Sequence, residues 1–155
     1  MTITKNPLDF SDKIRDEILI HLDGWTIATN SDVEDDDSEI EAFIDIEDPG
    51  QLAELRSNHK VGIGEVKYYW ESSCQEALTE TNRYNIDDLD EVLSEFFVNG
   101  VVKLAASNLW TKINKEVDIN NEEKPVFDAN ASKLYTKSMR IIRKFSKSTL
   151  VGLSG

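Results

Sequence analysis

The stretch Ile86–Val117, IDDLDEVLSEFFVNGVVKLAASNLWTKINKEV, constrains this chain more than any other. Its apolar residues fall at Leu89, Val92/Leu93, Phe96/Phe97, Val101, Leu104/Ala105, Leu109 and Ile113. These are the three- and four-residue spacings of one helical face. A helix of this length spans roughly 40 Å, enough to cross a small domain. The stripe is broad, so the helix is expected at the centre of the fold, touched on several sides, and it carries no chemistry of its own. Asp88 followed by Glu91 reads as a capping box, and Asp87, Asp88 and Asp90 suit the positive end of a helix dipole. Lys112 and Lys115 suit the other end. Ala105 and Ala106 predict a close helix approach, while Gly100 either weakens the helix or marks a bend.

A chain of 155 residues with 39% hydrophobic residues is long enough to bury a core without metal or disulfide support. The single cysteine, Cys74, excludes an intramolecular disulfide and any multi-cysteine metal site. The opening MTITKNPLDF has no apolar run behind a basic segment, so no secretory signal is expected. No apolar run is long enough for a membrane span. A protein that is soluble and intracellular when made is expected. Charge is the informative part of the composition. Residues 1–100 carry 25 acids and 7 bases, a net −18, whereas residues 101–155 carry 5 acids and 10 bases, a net +5. A chain polarised this way suits docking of its basic end on an acidic surface, a sister copy included. The acidic front argues against general nucleic-acid binding, which needs clustered Lys and Arg.

Residues 9–24 predict a first helix, with Phe10, Ile14, Ile18, Leu22 and Trp25 on one face, Ser11 or Asp9 as cap, and Gly24 at its end. WTIAT (25–29) reads as a short strand, and the acid-rich segment 31–39 as an exposed loop. As an EF-hand starting at Asp32 that segment fails, because its sixth and twelfth positions hold Asp37 and Phe43 instead of glycine and glutamate. EIEAFIDIE alternates like a strand, Asp48-Pro49-Gly50 reads as a turn, and QLAELRS as a short helix ending near Asn58. Residues 61–70 fit either a strand or a helix starting near Glu65. The helix is favoured, because Val66, Tyr69/Trp70, Ser73/Cys74, Ala77 and Thr81 keep the helical period past any usual strand length. No nucleotide-binding glycine loop occurs. A Cys–His nucleophile pair would have to use Cys74 with His21 or His59, and packing is the simpler role for that thiol. After a polar connection, DINNEEKPVFDANAS, a last helix is expected over 131–146, capped by Asp128 or Asn130. Ala131, Leu134/Tyr135, Ser138, Ile141/Ile142 and Phe145 form its apolar face, and Lys133, Lys137, Arg140, Arg143, Lys144 and Lys147 cover the rest. Residues 148–155, STLVGLSG, form an apolar, flexible tail.

The expected fold is therefore mainly α: a small helical domain over 1–147 with a long central helix, a minor β element in the N-terminal third, and a tail over 148–155. The order of elements resembles the head–tail connector, or adaptor, proteins of long-tailed phages. The likeness covers roughly residues 65–150: a helix ending in ALTETNRY, an acidic start to the long apolar helix DDLDEVLSEFFVNGVVKLAASNLWTKIN, a polar loop and a basic final helix. Within the long helix it rests on small and large apolar residues ahead of an aromatic, here Ala105, Ala106, Leu109 and Trp110. The resemblance implies a homo-oligomeric ring beneath the portal protein in the neck of the virion, assembled in the host cytoplasm, with the next neck or tail protein below. Genomic DNA would pass through without specific binding, and no membrane, catalytic site, metal or cofactor is implied. Lys137, Arg140, Arg143, Lys144 and Lys147, with Leu150, Val151 and Leu153 of the tail, would then be the portal-docking residues. The strand-like pieces of the first 60 residues depart from the simplest members.

Two other readings remain open. The opening DFSDKIRDEILIHLDGW followed by strand-like segments is also similar to tail-completion proteins, in which KVGIGEVKYYW would be a strand of a mixed sheet. An acidic protein outside the virion, binding a basic partner as a DNA mimic does, would use the −18 front half. No nucleophile, base and orienting group stand out as an enzyme's set.

Overall fold

A computed structural model describes residues 6–28, 49–116 and 124–147. In chain order the elements are α1 (Asp12–Ile20), β1 (Thr26–Ile27), α2 (Pro49–Ser57), β2 (Lys60–Val61), α3 (Ile63–Glu80), α4 (Glu91–Glu116) and α5 (Lys124–Ile142), and a 3-10 turn, Arg143–Phe145, ends the series. The architecture is mainly helical around one long central helix, with a two-stranded parallel sheet near the N-terminus. α4 lies along α5 and is also packed by α3 and α1. The acid-rich loop 31–39 and the strand expected in EIEAFIDIE lie outside the described residues.

α4 is the axis because its middle is apolar on almost every side. Phe97, Val101, Leu104, Ala105, Ala106, Leu109 and Ile113 are all completely buried. A helix that is apolar all round must be covered all round, and full burial of each large aliphatic or aromatic side chain stabilises by about 2 kcal/mol. Ala105 and Ala106 are fully buried, as a close approach requires. A tight crossing also lies at Gly100, where an added Cβ would stand 2.9 Å from Ile141 Cγ2 and 3.0 Å from Ile142 Cγ1 of α5. Gly100 is thus neither a bend nor a weakness but the space that lets α5 in.

Several boundaries differ from the sequence expectation, each for a local reason. α1 is shorter than 9–24; the Ser11 side chain accepts from the Ile14 N–H, and the chain then turns through Asp23 and Gly24, both at positive φ. Pro49 opens α2 instead of sitting in a turn, which suits its fixed φ and missing N–H. Residues 61–70 are both things at once: Lys60–Val61 pairs with Thr26–Ile27, and the helix starts two residues later. α4 starts at Glu91, not Ile86, and its cap is Asp90, whose carboxylate accepts from the Leu93 N–H at 2.8 Å. Asp88, expected in a capping box, is used elsewhere. α5 starts at Lys124, so Asp128 and Asn130 are helical residues rather than caps. The first turns of α4 also escape burial. Val92, Leu93 and Phe96, read as part of the core stripe, are 73%, 44% and 46% exposed.

Two indoles and one buried ion network hold the N-terminal half on the core. Trp70 Nε1 donates to the Leu8 carbonyl at 2.8 Å and Trp110 Nε1 to the His21 carbonyl at 2.9 Å. Trp25 sits between them in function, stacked on His59 and edge-on to Trp110. Glu65, on the first turn of α3, is almost fully buried beside Arg56 of α2. Its Oε2 accepts from Arg56 Nη2 at 2.6 Å and from Lys112 Nζ of α4, while its Oε1 accepts from the Gly62 N–H at 3.1 Å. Arg56 Nη1 also donates to the Lys60 carbonyl at 3.1 Å. One carboxylate therefore ties α2, β2, α3 and α4 together.

Two substitutions test these contacts in chemical denaturation. Gly100→Ala improves intrinsic helix propensity by up to ~1 kcal/mol, yet the clash with Ile141, close to its own backbone, outweighs that gain. A net loss of about 1 kcal/mol is expected, and a more stable Gly100→Ala protein would contradict the crossing. Glu65→Gln leaves Arg56 buried beside a neutral partner and lowers stability by about 3 kcal/mol. The Arg56→Met/Glu65→Leu/Lys112→Met triple variant recovers much of that loss, because all three charges of the network are removed together.

Candidate docking surface

The basic residues singled out in the sequence follow the outer side of α5 and its 3-10 extension. Lys133, Lys137, Arg140, Lys144 and Lys147 are exposed, and Leu134, Ser138, Met139, Ile142 and Phe145 face inward. This is the basic amphipathic helix expected, with its apolar side against α4. The cations do not all stand alike. Lys137 and Arg140 lie on the open face. Lys144 Nζ is 5.9 Å above the Phe96 ring. Arg143 Nε donates to Glu80 Oε1 of α3 at 2.8 Å. Lys147 is anchored at both its backbone and its side chain. Leu150, Val151 and Leu153 lie outside the described residues.

The anchor is built by the turn between α3 and α4. α3 ends in a left-handed residue, Asn82 at φ 56°, a conformation asparagine tolerates better than most residues. The Asn82 N–H returns to the Thr79 carbonyl at 3.2 Å and the Arg83 N–H to the Leu78 carbonyl at 2.9 Å. Those two bonds close the helix end in a Schellman motif. They leave the Thr81 carbonyl free to accept the Lys147 N–H at 2.8 Å. Asn82 Nδ2 donates to the Lys147 carbonyl at 3.2 Å, and Arg83 Nε donates to the Phe145 carbonyl at 2.7 Å. Arg83 Nη1 then reaches Asp88 at 2.7 Å, and Lys147 Nζ is 3.7 Å from the other oxygen of that carboxylate. The C-terminal end of the basic helix is clasped to the α3–α4 turn by backbone and side chain together. Desolvation opposes the charged form of Asp88, but its own backbone N–H and the Arg83 and Lys147 charges outweigh it and hold the carboxyl below its ordinary value.

On the α1 side, Lys103 of α4 and Lys137 of α5 repel one another, and both act on His21. Partial burial first, and then those two charges, lower the His21 pKa below 6.5, so the imidazole is neutral at pH 7. A shallow cleft of about 360 Å³ between α4 and α5 is lined by Ser107, Asn108, Thr111, Ala131, Ser132 and Tyr135. The polar side chains that α4 contributes are already used: Ser107 Oγ donates to the Ala131 carbonyl, Thr111 Oγ1 to the Ser107 carbonyl, and the Asn108 amide to Ser73 and Glu76. Burial, then the Glu71 charge, push the Cys74 thiol up to about 12, and it faces the Leu8 carbonyl. It is protonated at neutral pH and is not an activated nucleophile. Among the described residues no group of three or more His, Cys, Asp and Glu side chains is placed to hold a metal ion. No helix among them is long and apolar enough to cross a membrane.

The sequence did not point to the clasp, because the residues it joins to the end of the basic helix are about sixty positions away. The one local sign was Thr81-Asn82-Arg83 at the end of a long helical period, the composition of a left-handed C-cap. Replacing Arg83 by alanine removes both the Phe145 and Asp88 contacts. It should lower stability by about 2 kcal/mol and speed hydrogen exchange at the Lys147 amide more than at the amides of Phe97–Ile113. The Asp88 contribution is present at neutral pH and is lost as pH falls through its lowered folded value.

Comparisons with protein-family models, with curated proteins and with solved structures found no match to this chain.

Proposed function

We propose that this protein is a head-to-tail connector of a phage neck, assembling as a ring between the portal protein and the next neck or tail protein. The observation that supports this reading best is the clasp at the chain exit. The basic helix is packed on α4, its C-terminal end is fixed at Lys147 by Thr81, Asn82 and Asp88, and the apolar residues Ser148–Gly155 follow it in the sequence. A docking element needs that combination: a rigid base that sets direction, and a free end that fits its partner. Exposed Lys137, Arg140 and Lys144 beside the exit give the base a positive face that steers it to an acidic partner surface. The acidic first hundred residues suit a channel wall from which DNA is repelled.

The tail-completion reading draws less support, since it places a strand over KVGIGEVKYYW, where the chain is helical from Ile63 onward. The acidic-inhibitor reading rests on charge alone. Counting the protein in purified virus particles from its source separates the three. A fixed, low copy number per particle is expected for a neck component, and absence from particles with abundant protein in the cell would move the inhibitor reading to the front. A chain ending at Lys147 is expected to keep its melting temperature within about 2 °C, because it retains the clasp and the buried core, yet to be missing from particles. Normal incorporation of the shortened chain would remove the tail from the docking role.

A further inference from the structure

Two parts of the described surface carry charge of a single sign each. Residues 84–99, the α3–α4 turn and the first turns of α4, hold five carboxylates and no Lys or Arg. Residues 129–147, most of α5 and its 3-10 end, hold six cations and no carboxylate. Internal pairing uses part of both sets: Asp88 meets Arg83 and Lys147, and Arg143 meets Glu80. Among the described residues no ion pair reaches Asp87, Asp90, Glu91 or Glu95, nor Lys133, Lys137 or Arg140. All of them are exposed, and Lys137 is repelled by Lys103 beside it. The acidic part is also the apolar one. Of the seven large hydrophobic residues exposed among those described, Tyr84, Val92, Leu93 and Phe96 stand there.

We infer that the basic face of α5 docks on the acidic, apolar start of α4 in a second copy of this chain, so that copies join head to tail. Charge complementarity carries the choice of partner, because each surface has the sign that the other lacks. The spacings match as well. Glu91 and Glu95 of α4 are four residues apart, as are Lys133 and Lys137 of α5, a separation of about 6 Å along either helix. With the two helices antiparallel, Glu95 meets Lys133 and Glu91 meets Lys137. Asp87 and Asp90, just before α4, then meet Arg140, one turn further along α5. The aliphatic stems of these cations cover Val92 and Phe96, the residues that follow Glu91 and Glu95. Such a contact already exists within one copy, where Lys144 Nζ stands 5.9 Å above the Phe96 ring.

The two surfaces do not satisfy each other inside one copy. α4 and α5 lie antiparallel, with Lys144 level with Phe96 and the Ala131 carbonyl level with Ser107. Lys133 therefore sits roughly 16 Å along α5 from Lys144, away from the acidic end. The overall charge of −13 does not prevent association, since at physiological ionic strength it is screened beyond about 8 Å and the facing rows decide. Because the two surfaces differ, each contact leaves one of each kind free, and the next copy adds in the same sense. The inference deepens the docking role proposed for the basic face: it rests on that face meeting an acidic surface, and it names that surface as a sister copy's. In the connector this is the contact between neighbours in the ring, but the contact itself needs only the purified protein.

Charge exchange in the full-length protein decides it. Sedimentation velocity of the natural chain is expected to show a mass that rises with concentration past that of two copies. A chain that stays monomeric up to about 1 mM would overturn the inference and leave the basic face to an acidic partner of another kind. A mass that stops at two copies would mean a closed pair and overturn the head-to-tail contact. Glu91→Lys/Glu95→Lys and Lys133→Glu/Lys137→Glu alter only exposed side chains, and circular dichroism checks that each variant is folded. Each alone should associate at least ~tenfold more weakly, because like charges then face one another. An equimolar mixture of the two should recover the association, since each supplies the sign that the other has lost. Variants that associate like the natural chain, or a mixture no stronger than its components, would overturn the inference. A second measurement does not depend on charge reversal. In a Cys74→Ala background, a Glu95→Cys chain mixed with a Lys133→Cys chain should form mixed disulfide dimers at least ~tenfold faster than either forms with itself, and equal rates would contradict the pairing. No readout involves virus particles, so the particle count and this contact fail independently.

Discussion

A helix that is apolar over most of its circumference cannot stand in water, and the rest of this protein is arranged by that fact. From Phe97 to Ile113, only Asn99 and Thr111 of α4 are exposed. α5, α3 and α1 cover it in turn, and the depth of the α5 contact is set by one missing Cβ at Gly100. Small residues along such a helix are spacers. Their effect is felt by the neighbour, so a glycine that weakens an isolated helix strengthens the pair.

Covering an apolar helix does not by itself choose one arrangement, and the buried polar groups add that choice. Trp70 and Trp110 each carry a single N–H that needs an acceptor when buried, and each finds a backbone carbonyl from the first 21 residues. Any sliding of α1 against α3 or α4 would strand both donors. Glu65 acts in the same way from the other side, since a buried carboxylate has to be met by Arg56, Lys112 and the Gly62 N–H together. Such networks add little net stability over apolar packing but penalise every alternative that leaves a charge unpaired.

Much of this was legible in advance, and the misses have physical causes. The helical periods of α4 and α5 were plain, as was the inward face of α5, while residues 61–70 fitted strand and helix alike and only the later period of α3 favoured the helix. The exposed start of α4 was not, because Val92, Leu93 and Phe96 obey the same period as the buried residues after them. Periodicity tells which residues share a face; it does not tell where the neighbouring element stops. At the docking surface the basic face was readable residue by residue, yet Arg143 and Lys147 looked equivalent to Lys137. Only in space does Glu80 meet the first and Asp88 the second. Asp88 illustrates the point from the other side, since its place ahead of a helix suits a cap, but the cap fell to Asp90 because Arg83 had already taken Asp88.

What the amino-acid order determined alone is local and periodic: a long central helix, a basic final helix, an acidic front half and a chain without paired cysteines. These follow from spacing and composition, which act over a few residues. What the tertiary structure decided is which of those surfaces are used up and which remain. It placed a tight crossing at Gly100, brought Arg56, Glu65 and Lys112 to one buried point, and fastened Lys147 to the α3–α4 turn. Each of these joins residues that are far apart in the chain or on different elements. Their contacts depend on the packing of whole helices, and no window of sequence contains that information.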